Sequence, residues 1–333
     1  MTVWKLSAGT ACALGKKQIK TDVLPTTAYI MLGEKCRNNC RFCAQARDSS
    51  ARANMLSRVT WLEVIGQEAA QAIGEAFQAG RLRRACLQIV RQDQIWEEGL
   101  DALAALTQTS AVPVCISADI ESVAQAKELI ERGTDRISLA LDAATPLLYR
   151  EIKGGDWNKR WQLLTDCAAK LPGRVSTHLI VGLGETEEEM VTTIADCYNH
   201  SISVGLFAFT PLRGTAWGDK VPPPIDSYRR IQIAHFLLSQ GYTHKAFSFG
   251  GGRLVGINLP PEKLAVVLAT GKAFETSGCE GCNRPYYNER PGGIMYNYPR
   301  SLTLTEIDQA LEESGLTDGG NVDNDRAVIS VAR

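Results

Sequence analysis

Three cysteines fall within eight residues, Cys36-Arg-Asn-Asn-Cys40-Arg-Phe-Cys43. Thiolates at these spacings fit three corners of a cubane iron–sulfur cluster, for which cysteine is the usual ligand. No fourth cysteine stands nearby, so one iron would keep an open position for a substrate or cosubstrate. The competing reading is a zinc site that borrows a distant fourth ligand. Zinc sites, however, usually build on paired cysteines.

The chain holds 10 cysteines in 333 residues. Met1 to Lys17 lacks the basic-then-apolar layout of a secretory leader, so metal ligation explains that count better than disulfides. Cys12, Cys167 and Cys197 stand singly, and Cys167 and Cys197 fall in helical patterns that read as buried free thiols. His178, His200, His235 and His244 show no ligand spacing and read as structural. The formal charge is -1, from 36 Lys+Arg against 37 Asp+Glu. That balance argues against nucleic acid or an anionic membrane surface as partner. No apolar run approaches the ~20 residues of a membrane span. A cytoplasmic protein is the expectation.

Alternating β-rich and helical patterns must position these cysteines. Strands are expected at 27–32, 85–90, 112–116, 136–141, 175–181, 205–209, 245–249 and 272–276. Helices are expected at 61–79, 95–109, 123–132, 158–169, 187–199, 227–239 and 262–269. Continuously apolar strands suit a parallel sheet covered by helices. Eight strands with intervening helices predict a (β/α)8 TIM-type barrel, complete or nearly so, with a C-terminal capping segment. The expected domains are an extension over 1–26, the barrel over 27–278, a cysteine-containing cap and helix over 279–316, and a mobile Gly-, Asp- and Asn-rich tail over 317–333. Cys36 follows the first strand directly, on the face where barrel enzymes gather catalytic groups.

The C-x3-C-x2-C run with Phe42 before its last cysteine resembles the signature of the radical S-adenosylmethionine (SAM) superfamily. The resemblance covers roughly residues 27 to 300. It implies a [4Fe–4S] cluster on Cys36, Cys40 and Cys43, with SAM chelating the open iron and cleaved to a 5′-deoxyadenosyl radical. Ile180-Val-Gly-Leu-Gly-Glu185 is similar to the biotin synthase and lipoyl synthase branch, where Gly182 and Gly184 would let backbone approach adenine. By resemblance Asp142 contacts the ribose or methionine, and Arg150 pairs with the methionine carboxylate. The plain readings are a helix cap for Asp142 and a surface arginine for Arg150. Many members carry Gly-Gly-Glu after the second strand. Here the segment is Cys86-Leu-Gln88-Ile-Val-Arg91, which leaves Gln88 as candidate for the amine contact.

Biotin synthases hold an auxiliary cluster on three strand cysteines and an arginine. Cys86 and Cys115 match two of those cysteines and Arg253 matches the arginine, but the third cysteine position is Ser176. Cys279-Glu-Gly-Cys282 adds two thiols after the eighth expected strand, on the same barrel face as the first set. Cys86, Cys115, Cys279 and Cys282 make four thiolates, the number a second [4Fe–4S] cluster takes. The alternative is that Cys86 and Cys115 are core thiols and the late pair is half of another site. The segment from Cys282 to Arg300 is dense in Tyr, Arg, Asn and Gly. It resembles the C-terminal segment of one component of the two-protein lipoyl synthases.

That resemblance implies sulfur insertion into an octanoyl chain on a lipoyl carrier protein. A second radical SAM subunit and a reductant such as ferredoxin would take part. The rivals are biotin synthase acting on dethiobiotin, and a rearrangement or cofactor-maturation enzyme whose second cluster is structural.

Overall fold

The computed structural model describes residues 2–289 and 292–316. Strand β1 (Val3–Ser7) runs into α1 (Ala8–Ala13), and β2 (Thr27–Leu32) follows. A short β3 (Met55–Leu56), β4 (Val59–Ile65) and α2 (Gly66–Gln78) come next. A regular alternation then runs through β5 (Arg84–Ile89), α3 (Ile95–Thr109), β6 (Val114–Ser117), α4 (Val123–Glu131) and β7 (Arg136–Ser138). It continues through α5 (Pro146–Ile152), α6 (Trp157–Lys170), β8 (Val175–Val181), α7 (Glu187–Asn199) and β9 (Ser203–Ala208). Last come α8 (Ile225–Ser239), β10 (Phe247–Gly250), β11 (Arg253–Ile257), α9 (Pro261–Leu268) and α10 (Leu304–Ser314).

The main sheet has the order β3-β4-β1-β2-β5-β6-β7-β8-β9. From β2 to β9 every neighbouring pair is parallel, whereas β1 pairs antiparallel with both β2 and β4. The period-2 alternation of strands sorts the side chains. Ala28, Ile30 and Leu32 of β2 enter the main core, and so do Leu87, Ile116, Leu179 and Leu206 of later strands. Tyr29, Cys86, Cys115, Ser176, His178 and Phe207 have the opposite parity and line a cavity on the other face. In a flat sheet β2 and β9 would stand roughly 24 Å apart, five strand spacings. Residues of both line this one cavity, so the sheet is curled.

Local signals start the helices around the site. Thr186 and Glu189 form a reciprocal capping box on α7, with three glutamates in its first turn. Thr145 caps α5 with Pro146 in its first turn, and the Asp156 carboxylate accepts from the Asn158 and Lys159 amides of α6.

Two of the eight expected barrel strands take other forms. The run 245–249 begins as a turn of 3-10 helix, and Phe247–Gly250 then pairs only with β11 in a separate hairpin. Gly251 and Gly252, both at positive φ, reverse the chain there. The run 272–276 opens as a 3-10 turn, Lys272–Phe274, entered through Gly271 in the left-handed region. The result is an open, curled sheet with six parallel strands. The expected helix at 61–79 also begins late, because Trp61 to Ile65 pair with Ser7 to Val3. Residues 1–26, read as an extension, thus contribute a strand to the sheet. Residues 317–333, the expected tail, lie outside the described residues.

Candidate cluster and cofactor site

The loop after β2 is held on several sides by backbone. Cys36 N–H donates to Gln45 O (2.6 Å), Arg37 N–H to Arg91 O (2.9 Å), and Arg41 N–H to Ile152 O (2.9 Å). Asn38 N–H points at Cys36 Sγ (3.4 Å), and its side-chain amide donates to Asp119 (3.0 Å) just beyond β6. Arg91 and Arg160 flank Asp119 at 3.0 and 2.9 Å. Burial opposes the Asp119 charge, but Arg160, Asn38 and Arg91 outweigh it and hold the carboxyl below its usual range.

Cys40 and Cys43 need a cation to become thiolates. Burial raises the Cys40 thiol to about 12, with Lys153 opposing and Cys43 adding to the rise. Burial likewise raises Cys43 to about 11, against a backbone hydrogen bond at Gln45. Metal binding supplies the missing charge, since thiolate ligation and proton release are coupled. The loop therefore fits a cluster on Cys36, Cys40 and Cys43. Among the described residues no three His, Cys, Asp or Glu side chains converge on a single ion. Thiolates of a cubane each bind a different iron and need no such convergence.

The second set forms at the other end of the strands. Cys86 and Cys115 are direct neighbours on β5 and β6. The Cys279–Cys282 turn packs against the start of β2. Thr26 Oγ1 donates to Gly281 O (2.5 Å), and Thr26 N–H to Asn283 Oδ1 (2.9 Å). Arg84, opening β5, donates to Glu280 O at 2.7 Å. The sequence reading put this pair on the same face as Cys36, which is incorrect. The expected eighth strand is a turn, so the chain returns along the N-terminal side of the sheet. Cys36 follows the C-terminal end of β2, and the rise from Tyr29 to Leu32 alone is about 10 Å.

The Sγ atoms of Cys115 and Cys279 lie 3.4 Å apart. The Cys115 thiol as donor, together with Arg84, Arg136 and Arg284, outweighs burial and lowers Cys279 to about 6. Cys115 moves strongly upward, first as donor to Cys279 and then through burial. Burial, then Cys279 and Cys282, also raise Cys86 strongly. Three arginines offset negative charge around these thiols, which suits an anionic iron–sulfur cluster on the four cysteines.

One cavity of about 260 Å3 runs between the two sets. Phe42, Cys43 and Asp142 line it together with Cys86, Cys115, Cys279 and Cys282. Gln88 lines it as well. Asp142 sits at φ 66 in the left-handed region. Lys153 Nζ pairs with its Oδ2 at 2.7 Å and donates to Ala140 O at 2.8 Å. Burial works against the Lys153 charge, but Asp142 and then Cys40 keep its pKa above the ordinary lysine value.

Other expected contacts fall elsewhere. Arg150 is exposed on the outside of α5 and does not line the cavity; one turn on, Lys153 faces inward. Gly182 and Gly184 border a separate surface groove with Pro223, Gly252 and Arg253. A Cβ on Gly182 would meet Pro223 at 2.9 Å, so its freedom serves a loop contact. Arg253 is exposed and 3.8 Å from Asp226, away from the cysteines. Ser176 does line the cavity, and its hydroxyl donates to Ile137 O (3.2 Å).

Sequence reasoning missed Tyr29, Lys153, Arg284 and Tyr287 and took His178 as structural. His178 lines the cavity, its ring edge-on to Phe207 at 5.2 Å, and burial lowers its pKa to about 4. Tyr29 and His178 share the strand parity of the cysteines, a signal available in the sequence. Cys167 and Cys197 are fully buried among core residues, as expected.

The family model described as Radical SAM superfamily matches residues 30–197. The chain belongs to this superfamily. That radical SAM membership implies a [4Fe–4S] cluster and SAM as cofactors. Among curated radical SAM relatives, a lipoyl synthase of Chromobacterium violaceum is 25% identical over 197 residues, covering 54% of this chain and 56% of that protein. A biotin synthase of Magnetococcus marinus is 26% identical over 179 residues, covering 52% of this chain and 53% of that protein. The chain thus spans little more than half the length of each. In fold it is similar to methylornithine synthase (PylB), with TM-score 0.52 and 15% identity over 88% of this chain and 82% of that one. Among the described residues no helix is long and apolar enough to cross a membrane.

Proposed function

We propose that this radical SAM chain inserts sulfur into the octanoyl chain of a lipoyl carrier protein. The observation that carries the reading is the single cavity lined by cysteines of both sets, Cys43 at one end and Cys86, Cys115, Cys279 and Cys282 at the other. When bound, the first cluster with SAM supplies a hydrogen-abstracting radical, and an auxiliary cluster supplies sulfide.

The protein's task is to hold, orient and shield the reacting groups. Leu56, Ile180, Phe207, Phe209 and Leu212 give the cavity apolar walls suited to an aliphatic chain. Arg284 and Tyr287, from the segment after Cys282, cover it and exclude water. Ser57 Oγ donates to Tyr287 O at 2.7 Å and ties that cover to the loop after β3. Asp142 and Gln88 are the polar contacts for SAM. Arg150, off the cavity, receives no such role. Residues 27–278 form the catalytic body in this reading and 279–316 its cap. A second radical SAM subunit inserts the other sulfur, a ferredoxin-type protein supplies electrons, and the cytoplasm is the setting.

Ser176 separates this reading from biotin synthesis, because a hydroxyl committed to the Ile137 carbonyl cannot replace a cluster thiolate. The test is anaerobic incubation of the reconstituted chain with octanoylated carrier, SAM and reductant, with and without a second subunit. Mass spectrometry should find sulfur added to the carrier. No thiolated carrier in either arm refutes the proposal, and conversion of dethiobiotin instead selects the biotin reading.

A further inference from the structure

Tyr29 stands at one end of an inward-facing row that crosses three strands. Strand register sets it beside Cys86, which is beside Cys115. Its side chain is buried, and its own peptide N–H is used by Thr10 Oγ1 at 2.9 Å. Its hydroxyl is 3.1 Å from Cys282 Sγ. The peptide N–H of Arg284 donates to the same hydroxyl, also at 3.1 Å. The oxygen is therefore already an acceptor, and its proton is free to point at sulfur. A metal-bound thiolate can only accept. The direction of this chain follows, from Arg284 N–H through Tyr29 O–H to Cys282.

We infer that Tyr29 is a positioning residue for the second cysteine set, fixing the Cys282 thiolate through a hydrogen bond and tuning the reduction potential of the cluster held there. This rests on the reading that Cys86, Cys115, Cys279 and Cys282 bind a cluster. Outer-shell hydrogen bonds orient ligands, and those to cluster sulfur set potential. The reduced cluster carries one more negative charge, so a donor at Cys282 stabilises it more and raises the potential. The contact also closes the gap between a late turn and the first parallel strand. Tyr29, Cys36, Cys86 and Cys282 pack in one small cluster with Met31, Trp61 and Val90, so the donor is held by packing on the cavity wall.

The test uses the full chain in a Cys36→Ala/Cys40→Ala/Cys43→Ala background, which isolates the second set. Tyr29→Phe keeps the ring and its packing. The background should bind about four irons. Tyr29→Phe should keep that iron, lower the midpoint potential, and alter the electron paramagnetic resonance of the reduced cluster. A ring-fluorinated tyrosine at position 29, a stronger donor, should move the potential the opposite way. Bound iron with unchanged potential and spectrum in both variants overturns the role of Tyr29 alone. A background that binds no iron refutes the four-cysteine reading and this inference with it.

Discussion

Replacing Lys153 with methionine leaves the Asp142 carboxylate buried without its cation. Asp142 is 8% exposed. Its Oδ2 is 2.7 Å from Lys153 Nζ. At an effective dielectric near 20, Coulomb's law gives an attraction of about 6 kcal/mol at that distance. Removing one partner of a buried pair typically costs about 3–5 kcal/mol, because the other charge stays desolvated. The Ala140 carbonyl also loses its donor, worth about 1 kcal/mol. Lys153→Met should therefore destabilise the metal-free protein by about 3–5 kcal/mol. Urea unfolding measures this as a lowered midpoint with unchanged slope. Asp142→Asn in the Lys153→Met background should recover much of the loss, giving a coupling near the top of the ~0.5–3 kcal/mol range for touching residues. A loss under about 1 kcal/mol, the size of an exposed pair, or strict additivity of the two substitutions would refute the argument. Calorimetric titration with SAM should show weaker binding in Lys153→Met, since the Asp142 carboxylate would lose the ammonium that fixes its orientation.

Three further outcomes can be checked. Anaerobically reconstituted protein should carry about eight irons, and Cys279→Ala/Cys282→Ala about four. That variant should still cleave SAM yet transfer no sulfur, and normal transfer would show the ligand set to be wrong. Gly182→Ala places a Cβ against Pro223 at φ 96, so thermal unfolding should register a loss of about 1–3 kcal/mol, and an unchanged melting temperature contradicts the assigned strain. His235 is buried, and its ring Nε2 donates to Val204 O at 3.1 Å. Burial lowers its pKa from 6.5 to about 4. The unfolded chain binds a proton below about 6.5 while the folded one does not until about 4. Stability is thus fullest above 6.5 and falls through that window, by up to about 3 kcal/mol. His235→Gln should flatten the slope of unfolding free energy against pH over that range. An undiminished slope assigns the effect to other groups.

Much of the chemistry was legible locally. Cys36, Cys40 and Cys43 lie within one loop, so their spacing alone carries the cluster reading. The parallel strands Thr27–Leu32 and Val175–Val181 were legible because each carries a mainly apolar face, Ala28, Ile30 and Leu32 in one and Val175, Leu179 and Val181 in the other, that packs into the core. The resemblance to biotin synthases brought Cys86, Cys115 and Ser176 together, and strand parity put His178 on the side of Ser176. The glycines at 251 and 252 carried the information that residues 247–257 turn back on themselves, though the pattern of 245–249 alone reads as a barrel strand.

Tertiary structure decided the rest, for reasons of distance along the chain. Val3–Ser7 pairs with residues 61–65, and that non-local ladder overrides the helical pattern there. Which side of α5 faces Asp142 is settled by packing, so the inward cation is Lys153 and the neighbouring Arg150 stays outside. The Cys279–Cys282 turn reaches Tyr29 across more than two hundred residues, through a contact that no local propensity encodes. The sequence by itself determined the Cys36, Cys40 and Cys43 triad and with it the superfamily, because ligand type and short spacing are local properties. Only the folded chain decided that Cys43 and the second cysteine set, toward opposite ends of the parallel strands, line one cavity.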